Sequence, residues 1–197
     1  MGPEERRLLT GPERPIVIVP RRPHSRIALT VAPGQQTLGV MLPYTPLHHL
    51  LLERDASGFP EALVMTSGNL SEEPIASRND DARQRLSGLA DAILMHNRDI
   101  RTRCDDSVVR QFRGATLPLR RSRGYAPFPV RMPVEAPQVL AVGAELKNAF
   151  CLTREGYAFL SHHIGDMQNY ETLQSFEDGV AHFESLFRVR PQALAYD

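Results

Sequence analysis

The sequence predicts an α/β protein in two parts, and three observations carry that reading. Short apolar runs bounded by Gly, Pro and Asn recur through the first part, with helical stretches between them. A segment with four prolines, "GYAPFPVRMPVEAPQ" (124–138), then breaks all periodicity. Beyond it the pattern becomes strand, turn, strand, followed by apolar residues at steps of three or four.

The elements follow in order. "RPIVIVPRRP" holds a short apolar strand at Ile16 to Val19, bracketed by prolines. "TLGVMLPYTPLHHLLL" gives an extended piece, a turn and a short helix at 46–53, because Pro43 and Pro46 exclude a continuous element. Residues 62–66 read as a strand, as does "DAILMH" (91–96). Between them Asn79 reads as a helix N-cap, since Asp80 and Asp81 fall in the first turn where negative charge is favoured. Leu86 joins that helix's buried face and Gly88 can close it. "SVVRQFRGATLPLRR" reads as a hairpin turning near Arg113-Gly114.

The 124–138 stretch is read as the linker region, with residues 1–133 as the first domain, 134–138 as the link and 139–197 as the second domain. In the latter, "VLAVGAELKNAFCL" and "GYAFLSHHIG" supply strands. A helix at 171–187 presents Leu173, Phe176, Val180, Phe183, Leu186 and Phe187, and "PQALAYD" resembles a strand just begun. A ribbon and helix of ~60 residues would not bury an adequate core alone. The second part therefore reads as truncated, its helix presenting a bare apolar face prone to association.

At 197 residues, 42% hydrophobic and 23% charged, the chain is too apolar for disorder. No apolar stretch approaches the ~20 residues of a membrane helix, and no signal-peptide pattern is present. Cys104 and Cys151 lie far apart and outside any Cys-x-x-Cys spacing, which reads as inert thiols in a reducing cytoplasm. Net charge is zero but unevenly placed: residues 1–135 hold 19 Arg against 15 acids, and residues 136–197 hold 4 basic against 8 acidic groups. Residues 101–123 concentrate seven arginines against two acids, and Lys147 is the only lysine.

Three motifs carry possible chemistry. In "LVMTSGNLSEEPI" (63–75) an apolar strand gives way to Thr66, Ser67, Gly68 and Asn69, with Ser71 beyond. Such a loop suits a phosphate or carboxylate, although spacing alone favours a polar turn satisfying its own backbone. The arginine cluster in "NRDIRTRCDDSVVR" and "LPLRRSRGYAP" can fork around anions, with Asp106 within reach of Arg101 or Arg103, or it can form a solvated sheet face. Poor aromatic interleaving argues against nucleic acid. His48-His49 and His162-His163 are poor chelates, because adjacent side chains diverge on a strand or a helix; no metal ligands are assigned.

Together, "LPYTPLHHLLL", "LVMTSGNLSEEPIA", "HNRDIRTRCDDSVVR", "LPLRRSRGYAP" and "VLAVGAELKNAFCL…FLSHHIGDM" resemble the HypF family, the carbamoyltransferases of [NiFe]-hydrogenase maturation, in unbroken order across the chain. The resemblance implies the C-terminal part of a YrdC-like domain, a twisted mixed sheet with helices, followed by the opening hairpins and helix of a TsaD-like, actin-like ATPase-type domain. It implies ATP and magnesium, carbamoyl phosphate as substrate, carbamoyl-AMP as product, and transfer to the C-terminal cysteine of the partner HypE. By the same resemblance Thr66, Ser67, Asn69, Ser107, Arg120 and Arg123 are nucleotide-binding, and Gly143, Lys147 and Asn148 belong to a phosphate loop of the second domain. The family's acylphosphatase-like domain and zinc-binding Cys-x-x-Cys motifs are absent here, so an interior fragment, inactive by itself, is expected. The alternatives are a threonylcarbamoyl-AMP synthase-like tRNA-modification protein, or a non-catalytic module binding nucleotide or double-stranded RNA.

Overall fold

A computed structural model describes residues 1–53, 61–70 and 73–196. They form two compact units, each drawn from two stretches of chain: Met1–Thr66 with Asp106–Gly124, and Ser67–Asp105 with Tyr125–Asp197.

The first unit opens on α1 (Pro3–Thr10), a helix that the sequence reading did not contain. It has no apolar stripe, and only Leu9 is buried. Pro3 fits the first turn, and Glu4 and Glu5 complement its unpaired amides. β1 (Ile16–Pro20) follows with Val17 and Val19 inward. β2 (Thr37–Val40) pairs antiparallel with it. There a Cβ on Gly39 would stand 2.9 Å from Ile16 Cγ2, so only glycine fits that crossing. α2 (Pro46–Leu51) is the expected short helix, started by Thr45, whose hydroxyl accepts from the His48 N–H at 3.2 Å.

β3 (Val108–Phe112) and β4 (Ala115–Arg120) form the expected hairpin. Arg113 and Gly114 at its tip have φ of 50° and 80°, the left-handed backbone that a tight two-residue turn requires. The sheet order is β2-β1-β3-β4, with β1 and β3 parallel. Val17 faces Val109 across that pair, and both are fully buried.

Two expected strands are corrected. Residues 62–66 and 91–96 join no ladder among the described residues, and Val64, Met65 and Leu94 are largely exposed. Apolar, β-branched composition favours a pleated, half-buried surface, but a strand exists only where a neighbour completes its hydrogen bonds.

In the second unit α3 (Asn79–Leu86) begins one residue earlier than expected, with Arg78 as its N-cap. Asn79 instead donates its side-chain amide to the His96 carbonyl at 3.2 Å. Gly88 is not left-handed, and the chain leaves the helix through a turn at 87–89. A five-stranded sheet follows: β5 (Val130–Arg131), β6 (Val139–Ala141), β7 (Cys151–Arg154), β8 (Tyr157–Leu160) and β9 (Ala193–Ala195), in the order β5-β8-β7-β6-β9. β5 lies within the proline-rich stretch, whereas 134–138 carries no regular element.

α4 (Tyr170–Phe187) starts at Asn169, whose side-chain oxygen accepts from the Thr172 N–H at 2.8 Å, and ends at left-handed Arg188. The expectation of a bare helix face is overturned. Phe183 is buried with Phe150, Leu152 and Val189, and Phe176, Val180 and Phe187 pack on that cluster. Phe150 meets Phe176 and Phe183 edge-on at 5.6 and 5.1 Å. The sheet supplies the cover that a ribbon alone could not; only Leu173 and Leu186 of the six stay exposed.

Candidate functional site

A dense polar constellation of the first unit gathers where β3 begins and β4 has ended. Asp106 and Arg123 form a parallel bridge there, just outside the two strands. Arg123 donates from Nε to Asp106 Oδ1 at 2.6 Å, from Nη1 to the Glu13 carbonyl at 3.1 Å and from Nη2 to the Arg14 carbonyl at 2.7 Å. Its guanidinium carbon lies 3.5 Å from the Tyr44 ring centroid. Tyr44 donates its hydroxyl to the same Asp106 oxygen at 3.4 Å. Burial pushes the Tyr44 hydroxyl above its usual range, the Asp106 carboxylate adds to this, and Arg123 opposes it. The Tyr44 phenol therefore remains a donor, and Arg123 is held on one face by an aromatic ring and on its edge by three oxygens.

Ser107 supports this node from beneath. Its hydroxyl is fully buried and donates to the Arg123 carbonyl at 2.9 Å. Arg120 ends β4 opposite Val108. Of the expected nucleotide residues, the first unit thus brings Ser107 and Arg123 together. Tyr44 was not singled out in the sequence, and Asp106 was matched with Arg101 or Arg103. The correction is geometric: residues 101–105 do not form a strand, and the Asp106 partner is Arg123.

Thr66 closes the first unit and Ser67 opens the second. Asn69 donates its side-chain amide to the Leu70 and Glu73 carbonyls at 2.8 and 3.0 Å, and the Ala76 N–H reaches the Gly68 carbonyl at 2.9 Å. Arg85 from α3 fastens the same loop by donating to Glu73 and, at 3.1 Å, to the Pro74 carbonyl. The Asn69 amide therefore organises its own loop. Ser71 lies outside the described residues.

Gly143, Lys147 and Asn148 do come together, in the connection between β6 and β7. Asn148 is buried and donates its amide to the Val142 and Ala144 carbonyls at 2.9 and 2.8 Å. The Lys147 N–H donates to Asp166 Oδ1 at 2.6 Å, with Lys147 itself at a φ of 53°. Gly143 is left-handed, and a Cβ there would sit 2.4 Å from the Ala149 carbonyl oxygen. This is a rigid loop with the Lys147 side chain exposed.

Comparison with known proteins bears on both units. The Sua5/YciO/YrdC family model, described as telomere recombination, matches residues 2–122, and the HypF Kae1-like domain model matches residues 134–197. The chain is 46% identical to carbamoyltransferase HypF2 of Cupriavidus necator over 214 residues, covering 100% of this chain and 26% of that protein. It is 47% identical to carbamoyltransferase HypF of Rhodobacter capsulatus over 192 residues, covering 96% of this chain and 25% of that one. The crystal structure of a full-length HypF in a phosphate- and nucleotide-bound form superposes with a TM-score of 0.92 at 45% identity, covering 100% of this chain and 31% of that one. The chain therefore spans about a quarter of the length of the curated relatives it matches.

Proposed function

The chain belongs to the HypF carbamoyltransferase family, and from that premise we propose that it supplies one wall of a carbamoyl-adenylate site and the first phosphate loop of a transfer domain. In this reading carbamoyl phosphate is cleaved to carbamate and inorganic phosphate, and carbamate and ATP yield carbamoyl-AMP and pyrophosphate. The carbamoyl group then passes to the C-terminal cysteine of HypE in the cytoplasm with release of AMP. The observation that carries it is the full-length structural match, which spans both parts of the chain at once. The consecutive YrdC-type and HypF Kae1-like matches favour it over a stand-alone tRNA-modification enzyme.

Adenylate chemistry asks the protein for alignment and charge stabilisation more than for a side-chain base. Arg123 suits that demand, because its stacking on Tyr44 and its bonds to Asp106, Glu13 and Arg14 fix the fork before substrate arrives. The remaining N–H donors of the fork are the ones proposed to meet the phosphates, together with Arg120 and the Thr66 hydroxyl, and Ser67 is proposed as a nucleotide-binding residue of its own loop. Ser107 acts on Arg123 from below, and Asn69 fastens its own loop. Gly143, Lys147 and Asn148 are proposed to receive phosphate in the second domain. Among the described residues no group of three or more His, Cys, Asp or Glu converges, so no step here is assigned to magnesium or zinc.

The test grafts this chain in place of the matching segment of the Rhodobacter capsulatus protein. Carbamoyl-phosphate-dependent pyrophosphate release from ATP, with carbamoylation of HypE, is the expected result. A folded chimera that releases no pyrophosphate under those conditions overturns the reading.

A further inference from the structure

The second unit carries a half-open polar pocket of about 570 Å³, lined in part by Arg78, Arg101, Arg103, His162 and His182, with Asp178 as its single carboxylate. None of the three arginines forms an ion pair among the described residues. Nε of Arg103 is buried without a hydrogen-bond partner. His162 is only 6% exposed, and its ring makes no hydrogen bond among the described residues although it lines the cavity. A buried donor such as Arg103 Nε is costly unless a partner meets it.

Three guanidinium groups around one hollow with a single carboxylate make it locally electropositive, and their planar forks suit an anion. Thr102, Gln174 and Ser175 add neutral donors to the same wall. The lining contains no Phe, Tyr or Trp, and its only rings are the imidazoles of His162 and His182, which face the same hollow as the guanidinium groups and suit the anion more than a base. We propose that this cavity binds a phosphoryl anion carrying no nucleobase, held by the forks of Arg101 and Arg103 and by the ring of His162. Its lining shares no residue with the adenylate wall proposed above, and binding to it requires no turnover.

Titration calorimetry at constant ionic strength, paired with proton spectra of the histidine rings, tests this with pyrophosphate, inorganic phosphate and AMP as probes. One equivalent of pyrophosphate or phosphate is expected to bind and to shift the His162 and His182 ring signals. The tighter of the two names the source, and AMP binds no more tightly than phosphate. Arg101→Gln with Arg103→Gln should weaken binding by ~10-fold or more, since charge-assisted forks are the strong contacts. Thermal unfolding checks that the double variant folds; if it does not, Arg101→Gln alone carries the comparison, because that side chain is exposed. Absence of saturable binding at millimolar pyrophosphate overturns the proposal. So does binding that the variants leave intact, or AMP bound far more tightly than either phosphate.

Discussion

The hydroxyl of Ser107 accepts from the Ser122 N–H at 2.7 Å, and both residues are fully buried. With its second bond, to the Arg123 carbonyl, this one oxygen ties the start of β3 to the chain leaving β4. Ser107→Ala strands a buried donor and a buried acceptor, and a loss of about 1–3 kcal/mol is expected. Urea unfolding measures it, and an unchanged midpoint would contradict the bracket.

Arg123 and Asp106 are each less than one-third exposed, so their contact is not a screened surface pair. A double-mutant cycle with Arg123→Gln and Asp106→Asn should give a coupling of about 1–2 kcal/mol, in the range of neighbouring groups that share a network. Additive effects would show that the stacking on Tyr44, and not the ion pair, fixes the guanidinium.

Gly143 and Gly156 share nearly the same φ, 70° and 74°, yet only Gly143 has backbone where a Cβ would go. Gly156→Ala should cost about 1–2 kcal/mol, the ordinary penalty of a left-handed alanine. Gly143→Ala should cost more, about 3–5 kcal/mol, because the Ala149 carbonyl must also move. Equal unfolding midpoints for the two variants would refute the close approach.

Burial holds the His162 ring below its usual pKa, Asp105 pulls it back up, and His163 and His182 push it further down. The unfolded ring takes up its proton as pH falls through about 6.5, while the folded ring does not. Stability contributed by this group is therefore present above about 6.5 and is lost progressively as pH drops toward the folded value. His162→Gln should flatten that acid-side slope in a stability-against-pH series; a parallel slope would remove His162 as its source.

Asn69→Ala, placed in the chimera, should lower carbamoyl-AMP formation by ~10-fold or more, because misplacing a substrate-facing loop costs alignment. Its amide bonds to Leu70 and Glu73 mean that the loss arises from the loop's shape. Wild-type rates in that variant would detach the loop from the reaction.

What the sequence made legible was local. The Arg113-Gly114 turn and the helix of Phe176, Val180 and Phe183 follow from turn chemistry and a 3.6-residue period, both contained within a few residues. α1 escaped because a short helix burying only Leu9 leaves no stripe to read. The strands read at 62–66 and 91–96 failed for the opposite reason, since composition does not reveal a pairing partner. The site divides likewise. Arg123 was visible as one of a cluster, but Tyr44, far away in sequence, is joined to it only by the fold. His162 was set aside as one of an adjacent pair, and nothing local says that it is buried and lines one pocket with arginines from residues 78–103.

The parallel pairing of β1 with β3 also bears on how the chain is made. β2 can cover one edge of β1 soon after it leaves the ribosome, but Val17 must wait for Val109 to complete the other. At cellular synthesis rates that interval is on the order of ten seconds. Throughout it, a run of Ile16, Val17, Ile18 and Val19 presents an open edge to every other nascent chain nearby. The stretch in between, residues 67–105, belongs to the other unit. Neither half can therefore be finished before the other has begun, and a chaperone that shields β1 during translation would act on this protein earlier than any substrate does.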